Sequence, residues 1–65
     1  MPAYDRFEMC NTINAYVINA KHREVLRLRY CEGYTHEQTG EIVGYSTQHV
    51  KHLCKAYRDI LLSHI

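Results

Sequence analysis

The sequence predicts an all-α domain of four helices, and three features support that prediction. Apolar residues recur every three or four positions along four segments of the chain. Residues typical of helix N-caps and helix C-termini separate these segments. No segment alternates between apolar and polar residues as a half-buried strand does. Because 65 residues can enclose only one small core, we expect residues 1–65 to form a single domain.

The first predicted helix covers residues 4–19 and carries two apolar sides. One side has helical spacing and is expected to face the core: Phe7, Cys10, Ile13 and Val17. The other side holds Tyr4, Met9, Tyr16, Ile18 and Ala20. If this second side is exposed, it is an interface for a partner or for a second copy of the chain. The alternative is that it packs back onto the domain.

The second predicted helix, residues 21–32, has the clearest amphipathic pattern in the chain. Val25 and Leu28 share one side with Leu26 beside them, and arginine residues occupy the outer side. Gly33 follows, and glycine suits the left-handed conformation that ends many helices.

The third predicted helix, residues 35–43, is marked at both ends. Thr35 with Gln38 three residues later matches the capping box, in which each side chain bonds the other residue's backbone. Gly44 suits the left-handed residue after the helix. Two apolar residues at the end of the helix are expected to close it against the core: Ile42 and Val43.

The fourth predicted helix, residues 47–62, follows the N-cap residue Ser46. Its apolar stripe consists of Val50, Leu53, Cys54, Tyr57, Ile60 and Leu61. Two capped helices joined by a short turn containing glycine form a helix-turn-helix, with Tyr45 as the buried residue of the turn. In that motif the second helix is the candidate recognition helix for the major groove of double-stranded DNA.

Basic residues are clustered, although the net charge is only +1. No acidic residue lies between Val43 and Arg58, a segment that contains five basic or imidazole side chains: His49, Lys51, His52, Lys55 and Arg58. The second helix carries another basic group: Lys21, Arg23, Arg27 and Arg29. Such asymmetry is typical of nucleic-acid binders, and a merely solvated helix face shows it as well.

The cysteine and histidine patterns favour neither a metal site nor catalysis. The three cysteines, Cys10, Cys31 and Cys54, are odd in number and lack CxxC spacing, so we expect buried free thiols rather than disulfides. A Cys/His metal site is the alternative. The spacing of His49 and His52 could seat a metal, but no HExxH motif or carboxylate cluster accompanies them. We therefore expect no cofactor, no metal site, no catalytic residues and no enzymatic activity.

The chain is expected to be cytoplasmic and not membrane-bound. It has no apolar run near the roughly 20 residues of a membrane span. Its first residues, MPAYDRF, lack the charged and then apolar build of a signal peptide.

Residues 23–61 resemble region four of bacterial RNA polymerase sigma factors, and more loosely the helix-turn-helix of LuxR-type regulators and of small phage and mobile-element proteins. The matching positions are Arg23, Val25, Leu26, Leu28, Arg29, Tyr30, Gly33, Thr35, Ile42, Gly44, Ser46, Val50 and Lys51. Thr39 and Gly40 depart from the family's usual Ile-Ala. No promoter-melting or polymerase-binding region and no LuxR-type dimerisation helix is recognisable, so we do not expect a complete sigma factor.

The resemblance implies that the outward side of the fourth helix reads DNA. Its residues are Thr47, Gln48, Lys51, His52 and Lys55, and His49, beside the edge of the core, is a further candidate for DNA contact. Gln48 suits adenine, Lys51 suits guanine, and the Thr47 methyl group suits thymine. Backbone phosphates are expected at the helix starts, Thr35 and Ser46, and at Arg27 and Arg29. Alternatively Arg27 pairs with a neighbouring glutamate.

Two functions are compatible with the sequence. The first is a sequence-specific DNA-binding transcription regulator of phage or mobile-element type, acting as a monomer or a homodimer. The second is an adaptor that mimics sigma region four and docks on RNA polymerase or a sigma factor without reading DNA. The nearly neutral net charge makes this second function credible.

Overall fold

A computed structural model describes residues 6–63, which form four α-helices and no strand. The helices are α1 (Arg6–Tyr16), α2 (Ala20–Tyr30), α3 (His36–Val43) and α4 (Thr47–Ser63). The predicted all-α fold is confirmed over these residues, and α3 and α4 begin and end within one residue of their predicted bounds. Tyr4, predicted as an interface residue, lies outside the described residues.

The junction between α1 and α2 lies earlier than predicted. The first helix was expected to reach residue 19, but Asn19 has an extended backbone and caps α2 instead. Its side-chain oxygen accepts hydrogen bonds from Lys21 N at 3.0 Å and His22 N at 3.1 Å. Asparagine satisfies free amides better at a helix start than inside a helix, so the chain turns here. The second helix also ends two residues before its predicted end, and Gly33 beyond it has φ 82°.

The core lies where α2 packs against the other three helices. α1 and α4 contact one another across one side of it, and α3 and α4 contact one another across another. The buried apolar residues are Met9, Ile13, Val17, Val25, Leu26, Leu28, Val43, Val50, Leu53, Cys54 and Leu61. Three tyrosines, Tyr30, Tyr45 and Tyr57, are half-buried against this cluster.

Three residues that were predicted to face the core are instead exposed: Phe7 by 73%, Ile42 by 52% and Ile60 by 52%. The helical period explains the exposure of Phe7 and Ile60, since successive residues are about 100° apart round a helix. Phe7 then lies roughly 120° from Ile13, and Ile60 roughly 80° from Val50. Met9, assigned to the second side of α1, is roughly 40° from Ile13 and fully buried.

Cys10 and Cys31 form a disulfide, so the expectation of three free thiols was wrong. Their Cα atoms are 5.8 Å apart, and the bond joins the middle of α1 to the residue that follows α2. Sequence spacing could not reveal it, because the pair becomes adjacent only when α1 packs against α2. Cys54 is a buried free thiol, as predicted.

Candidate nucleic-acid interface

The turn between α3 and α4 is fixed by local hydrogen bonds at both of its ends. Gly44 adopts the left-handed conformation with φ 82°, and Tyr45 N donates to Gly40 O at 2.9 Å, the closing bond of a Schellman motif. Ser46 Oγ then accepts from His49 N at 3.1 Å and caps α4. The orientation of α4 relative to α3 is therefore set by residues 44–46.

Gly40 gives the turn the space it needs. A Cβ atom built at this position would lie 2.5 Å from Tyr45 O, closer than real side chains approach a carbonyl oxygen. Any larger residue here must push the turn away from α3, so glycine lets the turn pack directly on the helix.

The start of α3 is capped as the sequence predicted. Thr35 Oγ1 accepts from Gln38 N at 3.1 Å, and Thr35 N donates to Gln38 Oε1 at 3.1 Å, which completes the capping box. Both residues are exposed, so this helix start faces solvent.

The outward side of α4 is exposed and rich in polar hydrogen-bonding groups. Gln48, Lys51, His52 and Lys55 are exposed, while Val50, Leu53 and Cys54 on the opposite side are buried. At 100° per residue, the four exposed side chains span roughly one quarter of the circumference of the helix. Thr47 differs from the predicted set in being half-buried. The first two turns of α4 thus present a compact row of donors and acceptors.

His49 is held by the turn and does not extend freely from α4. Its ring stacks on Tyr45 with 4.2 Å between ring centroids and an interplanar angle of 19°. Lys21 Nζ lies 5.6 Å from the centroid of the same tyrosine ring, within the range of a cation–π contact. The start of α2 therefore adds a cation beside the start of α4, a placement that the sequence did not show.

Arg27 and Arg29 make different contacts, although both were predicted from the sequence to bind backbone phosphates. Arg27 Nη1 lies 3.8 Å from Glu32 Oε2, and both side chains are about half-exposed, so this ion pair contributes little. Arg29 Nη1 donates to Tyr34 O at 2.6 Å, and this bond anchors the guanidinium group. Because the arginines are two residues apart on a helix, they are separated by about 200° around its axis and point to nearly opposite sides.

A basic cleft of about 520 Å³ lies between the end of α2, the start of α3 and the middle of α4. It is lined by Arg29, Tyr30, His36, Lys51, Cys54, Lys55 and Arg58. None of these lining residues is acidic. Lys51 and Lys55 belong both to the cleft and to the outward side of α4, so the two surfaces share an edge.

The cleft changes the protonation of two of its residues. Burial, and then the positive charges of Arg29 and Lys51, lower the pKa of His36 below its usual value. Burial raises the pKa of the Cys54 thiol, which opposes a reactive thiolate. The cleft therefore disfavours both the imidazolium form of His36 and the thiolate form of Cys54.

Among residues 6–63, no three histidine, cysteine or acidic side chains come close enough together to hold a metal ion. The helices of this part of the chain are also too short or too polar for any of them to span a bilayer.

The model of the family "Sigma-70, region 4" matches residues 17–56, which is more than half of the chain. The chain belongs to the sigma-70 region 4 family. The match includes the α2, α3 and turn residues described above and the first part of α4, and it leaves α1 outside. No curated protein and no solved structure matches the chain significantly.

Membership in the sigma-70 region 4 family establishes a DNA-binding helix-turn-helix, a kind of domain that binds and does not catalyse. The residues that contact DNA in this family member remain predictions. The structure adds Lys21, His36 and Arg58 to the basic surface beside the motif. The sequence analysis counted Lys21 and Arg58 among the clustered basic residues but predicted DNA contact for none of the three. Helical spacing, which puts Arg58 two turns after Lys51, together with the acid-free basic segment could have placed it on this surface.

Proposed function

We propose that the chain is a sequence-specific regulator of transcription that places α4 in the major groove of double-stranded DNA. The observation that carries this proposal is the exposed row of Gln48, Lys51, His52 and Lys55 on a capped second helix. The groove is about 12 Å wide and admits one α-helix. Such a regulator, of the phage or mobile-element type, acts in the cytoplasm at the nucleoid.

Base contacts fall to the residues nearest the start of α4. Gln48 pairs with the N6 and N7 atoms of adenine, and Lys51 donates to the O6 and N7 atoms of guanine. His52 adds a single hydrogen bond on the same side of the helix. The half-buried Thr47 contributes its methyl group to a thymine, and the stacked His49 reaches the edge of the groove.

Backbone contacts supply affinity and position. Lys55 and Arg29 bind phosphates beside the groove, and the helix starts at Thr35 and Ser46 offer backbone amides to the same strand. Arg27, paired with Glu32, contributes through its charge alone. A single copy neutralises few phosphates, so its affinity is modest and falls steeply with salt.

The test is selection of bound sequences from a randomised duplex pool, at about 50 mM and 200 mM salt. A Gln48→Ala/Lys51→Ala variant is selected in parallel. The matched control is Asn14→Ala/Arg6→Ala, which also removes one amide and one cation but from exposed positions of α1. We expect wild type and control to enrich the same motif and the α4 variant to lose it. Absence of an enriched motif with wild type contradicts the proposal.

The second candidate function is the adaptor that docks on RNA polymerase or a sigma factor. It is favoured by the exposed apolar side chains on and after α1, which lie mostly outside the family match: Phe7, Tyr16 and Ile18, the last 90% exposed. The same surface would serve a homodimer, which reads two half-sites about 34 Å apart. A palindromic motif in the selection identifies the dimer.

An Ile18→Lys variant tests the α1 surface. If the chain is an adaptor, this variant loses capture of purified polymerase or sigma factor, while Gln48→Ala/Lys51→Ala keeps it. If the surface joins two copies, Ile18→Lys sediments as a monomer at concentrations where wild type is a dimer. Wild type that captures neither protein and sediments as a monomer excludes both uses.

A further inference from the structure

Among the described residues, the basic cleft is lined by four cationic side chains and by no acidic one. Within residues 6–63, none of Arg29, Lys51, Lys55 and Arg58 pairs with a carboxylate, although Arg27 on α2 does. Like charges that line one cavity repel each other, and an anion placed between them removes that repulsion. The volume of about 520 Å³ is ample for one tetrahedral phosphate group with its water.

Arg29 is organised for such an anion. Its Nη1 atom is fixed by the bond to Tyr34 O, so little side-chain freedom remains to be lost when a ligand binds. Its Nε atom is buried and donates to no acceptor in the described part of the chain. A buried donor without an acceptor costs free energy, and that cost falls only if the guanidinium group shifts so that an anionic oxygen reaches the Nε atom.

The position of the cleft identifies the anion. Lys51 and Lys55 stand between the cleft on one side and Gln48 and His52 on the other. A duplex lying against the outward side of α4 therefore brings one of its flanking strands to the mouth of the cleft. Phosphate oxygens are the groups that this strand presents along its whole length.

His36 adds a proton-dependent contact. The groups that line the cleft with it are Arg29 and Tyr30 of α2 and Lys51, Cys54, Lys55 and Arg58 of α4. Histidine alone among these residue types normally titrates between about pH 5 and 8. Burial, and then the positive charges of Arg29 and Lys51, lower the pKa of His36, whereas a phosphate bound beside it offsets part of that positive charge and favours the imidazolium.

We propose that the basic cleft binds a backbone phosphate of the DNA strand flanking the groove, and that DNA binding takes up a proton at His36. This inference deepens the proposed function and rests on it. Linkage then fixes the sign: because the bound state holds more protons than the free state, affinity rises as pH falls. One proton gives at most a tenfold change in affinity per pH unit.

The experiment measures duplex affinity by fluorescence anisotropy from pH 8 to pH 6, at constant ionic strength, with the selected motif. Wild type is compared with His36→Gln, Arg58→Gln and the control His22→Gln. His22 lies outside the cleft and bonds Tyr57 Oη at 2.9 Å. Circular dichroism at each pH confirms that every variant is folded.

We expect wild type and His22→Gln to bind about three- to tenfold more tightly at pH 6 than at pH 8. His36→Gln is expected to show a clearly smaller dependence, and what is left belongs to His49 and His52, which the proposed function places against the DNA. Arg58→Gln is expected to reduce the magnitude of the negative slope of log affinity against log salt by about 1.

The inference is overturned if wild type binds the duplex with no pH dependence, or if His36→Gln retains the full dependence. It is also overturned if inorganic phosphate fills the cleft at millimolar concentration, seen by NMR at His36, while duplex affinity stays unchanged. In these cases DNA binding stands and only the cleft assignment fails. If folded wild type binds no duplex at all, that result instead contradicts the proposed function itself.

Discussion

Thr39 illustrates how one side chain in the helix-turn-helix departs from its family. It is fully buried, and its hydroxyl oxygen has no hydrogen-bond partner within the described residues. Isoleucine is the usual residue at this position in the proteins that the chain resembles. A buried hydroxyl without a partner has lost its hydrogen bonds to water and has formed no hydrogen bond within the protein.

Thr39→Val is therefore expected to raise the free energy of unfolding by about 1 kcal/mol, because it replaces that hydroxyl with a methyl group of similar size. Urea denaturation of the two proteins measures the difference. Thr12→Val is the matched control, since Thr12 is also buried but its hydroxyl donates to Glu8 O at 2.8 Å. A Thr39→Val protein no more stable than wild type would show that the hydroxyl finds a partner in solution.

Gln48 is the residue whose change best separates base reading from charge. It lies on the outward side of α4 but outside the basic cleft, and it is neutral. We expect Gln48→Ala to weaken binding to the selected motif by about 1–3 kcal/mol and to leave the salt dependence unchanged. Anisotropy titrations on the motif and on an unrelated duplex measure both effects. Equal losses on the two duplexes would contradict a base contact.

At the scale of the helix, sequence predicted best what depends on neighbouring residues. Capping boxes and left-handed glycines act within a few positions, so the bounds of α3 and α4 followed directly from Thr35, Gln38 and Gly44. The orientation of α1 did not follow. Its two apolar sides were similarly hydrophobic, and only packing against α2 and α4 selected the side that includes Met9.

The candidate site divides in the same way. The outward side of α4 was predictable because one helical period places its residues. The basic cleft was not, because it joins Arg29, His36 and Arg58, which come together only through the packing of three helices. The disulfide and the contact of Lys21 with Tyr45 were missed for the same physical reason.

The capping box gives a prediction for α3 as an element. Thr35→Ala removes the acceptor of the Gln38 amide and is expected to cost about 1 kcal/mol of stability, within the range of 0.5–2 kcal/mol measured for N-caps. Thr35→Ser keeps the oxygen and should retain most of the stability. Urea unfolding of the three proteins decides the point, and equal stability of all three would mean that the cap contributes nothing.

At the scale of the whole molecule, a chain of 65 residues has little stability in reserve. Its core draws on all four helices, and α1 is held to α2 covalently as well as by packing. In the chain-entropy account, a bond between residues 21 positions apart lowers the conformational entropy of the unfolded chain. This stabilises the folded state by about 3 kcal/mol.

We therefore expect Cys10→Ser/Cys31→Ser to lower the free energy of unfolding by about 2–4 kcal/mol relative to the oxidised wild type. Urea denaturation with and without a thiol reductant measures it. The reductant should destabilise wild type and leave the double variant unchanged, and Cys54 is present in both as an internal control. If wild type is insensitive to reductant, the bond makes no net contribution to folding.

The bond between Cys10 and Cys31 also decides what a break in the backbone would do. The link from α1 to α2 passes through Ile18, the most exposed of the large apolar side chains. A protease that cuts there leaves two fragments that remain one molecule until a thiol separates them. Oxidised protein can thus be nicked and keep α1 in place, whereas reduced protein can release it. Once the backbone is cut, reduction leaves α1 held by packing alone, and its release takes Met9, Ile13 and Val17 out of the shared core.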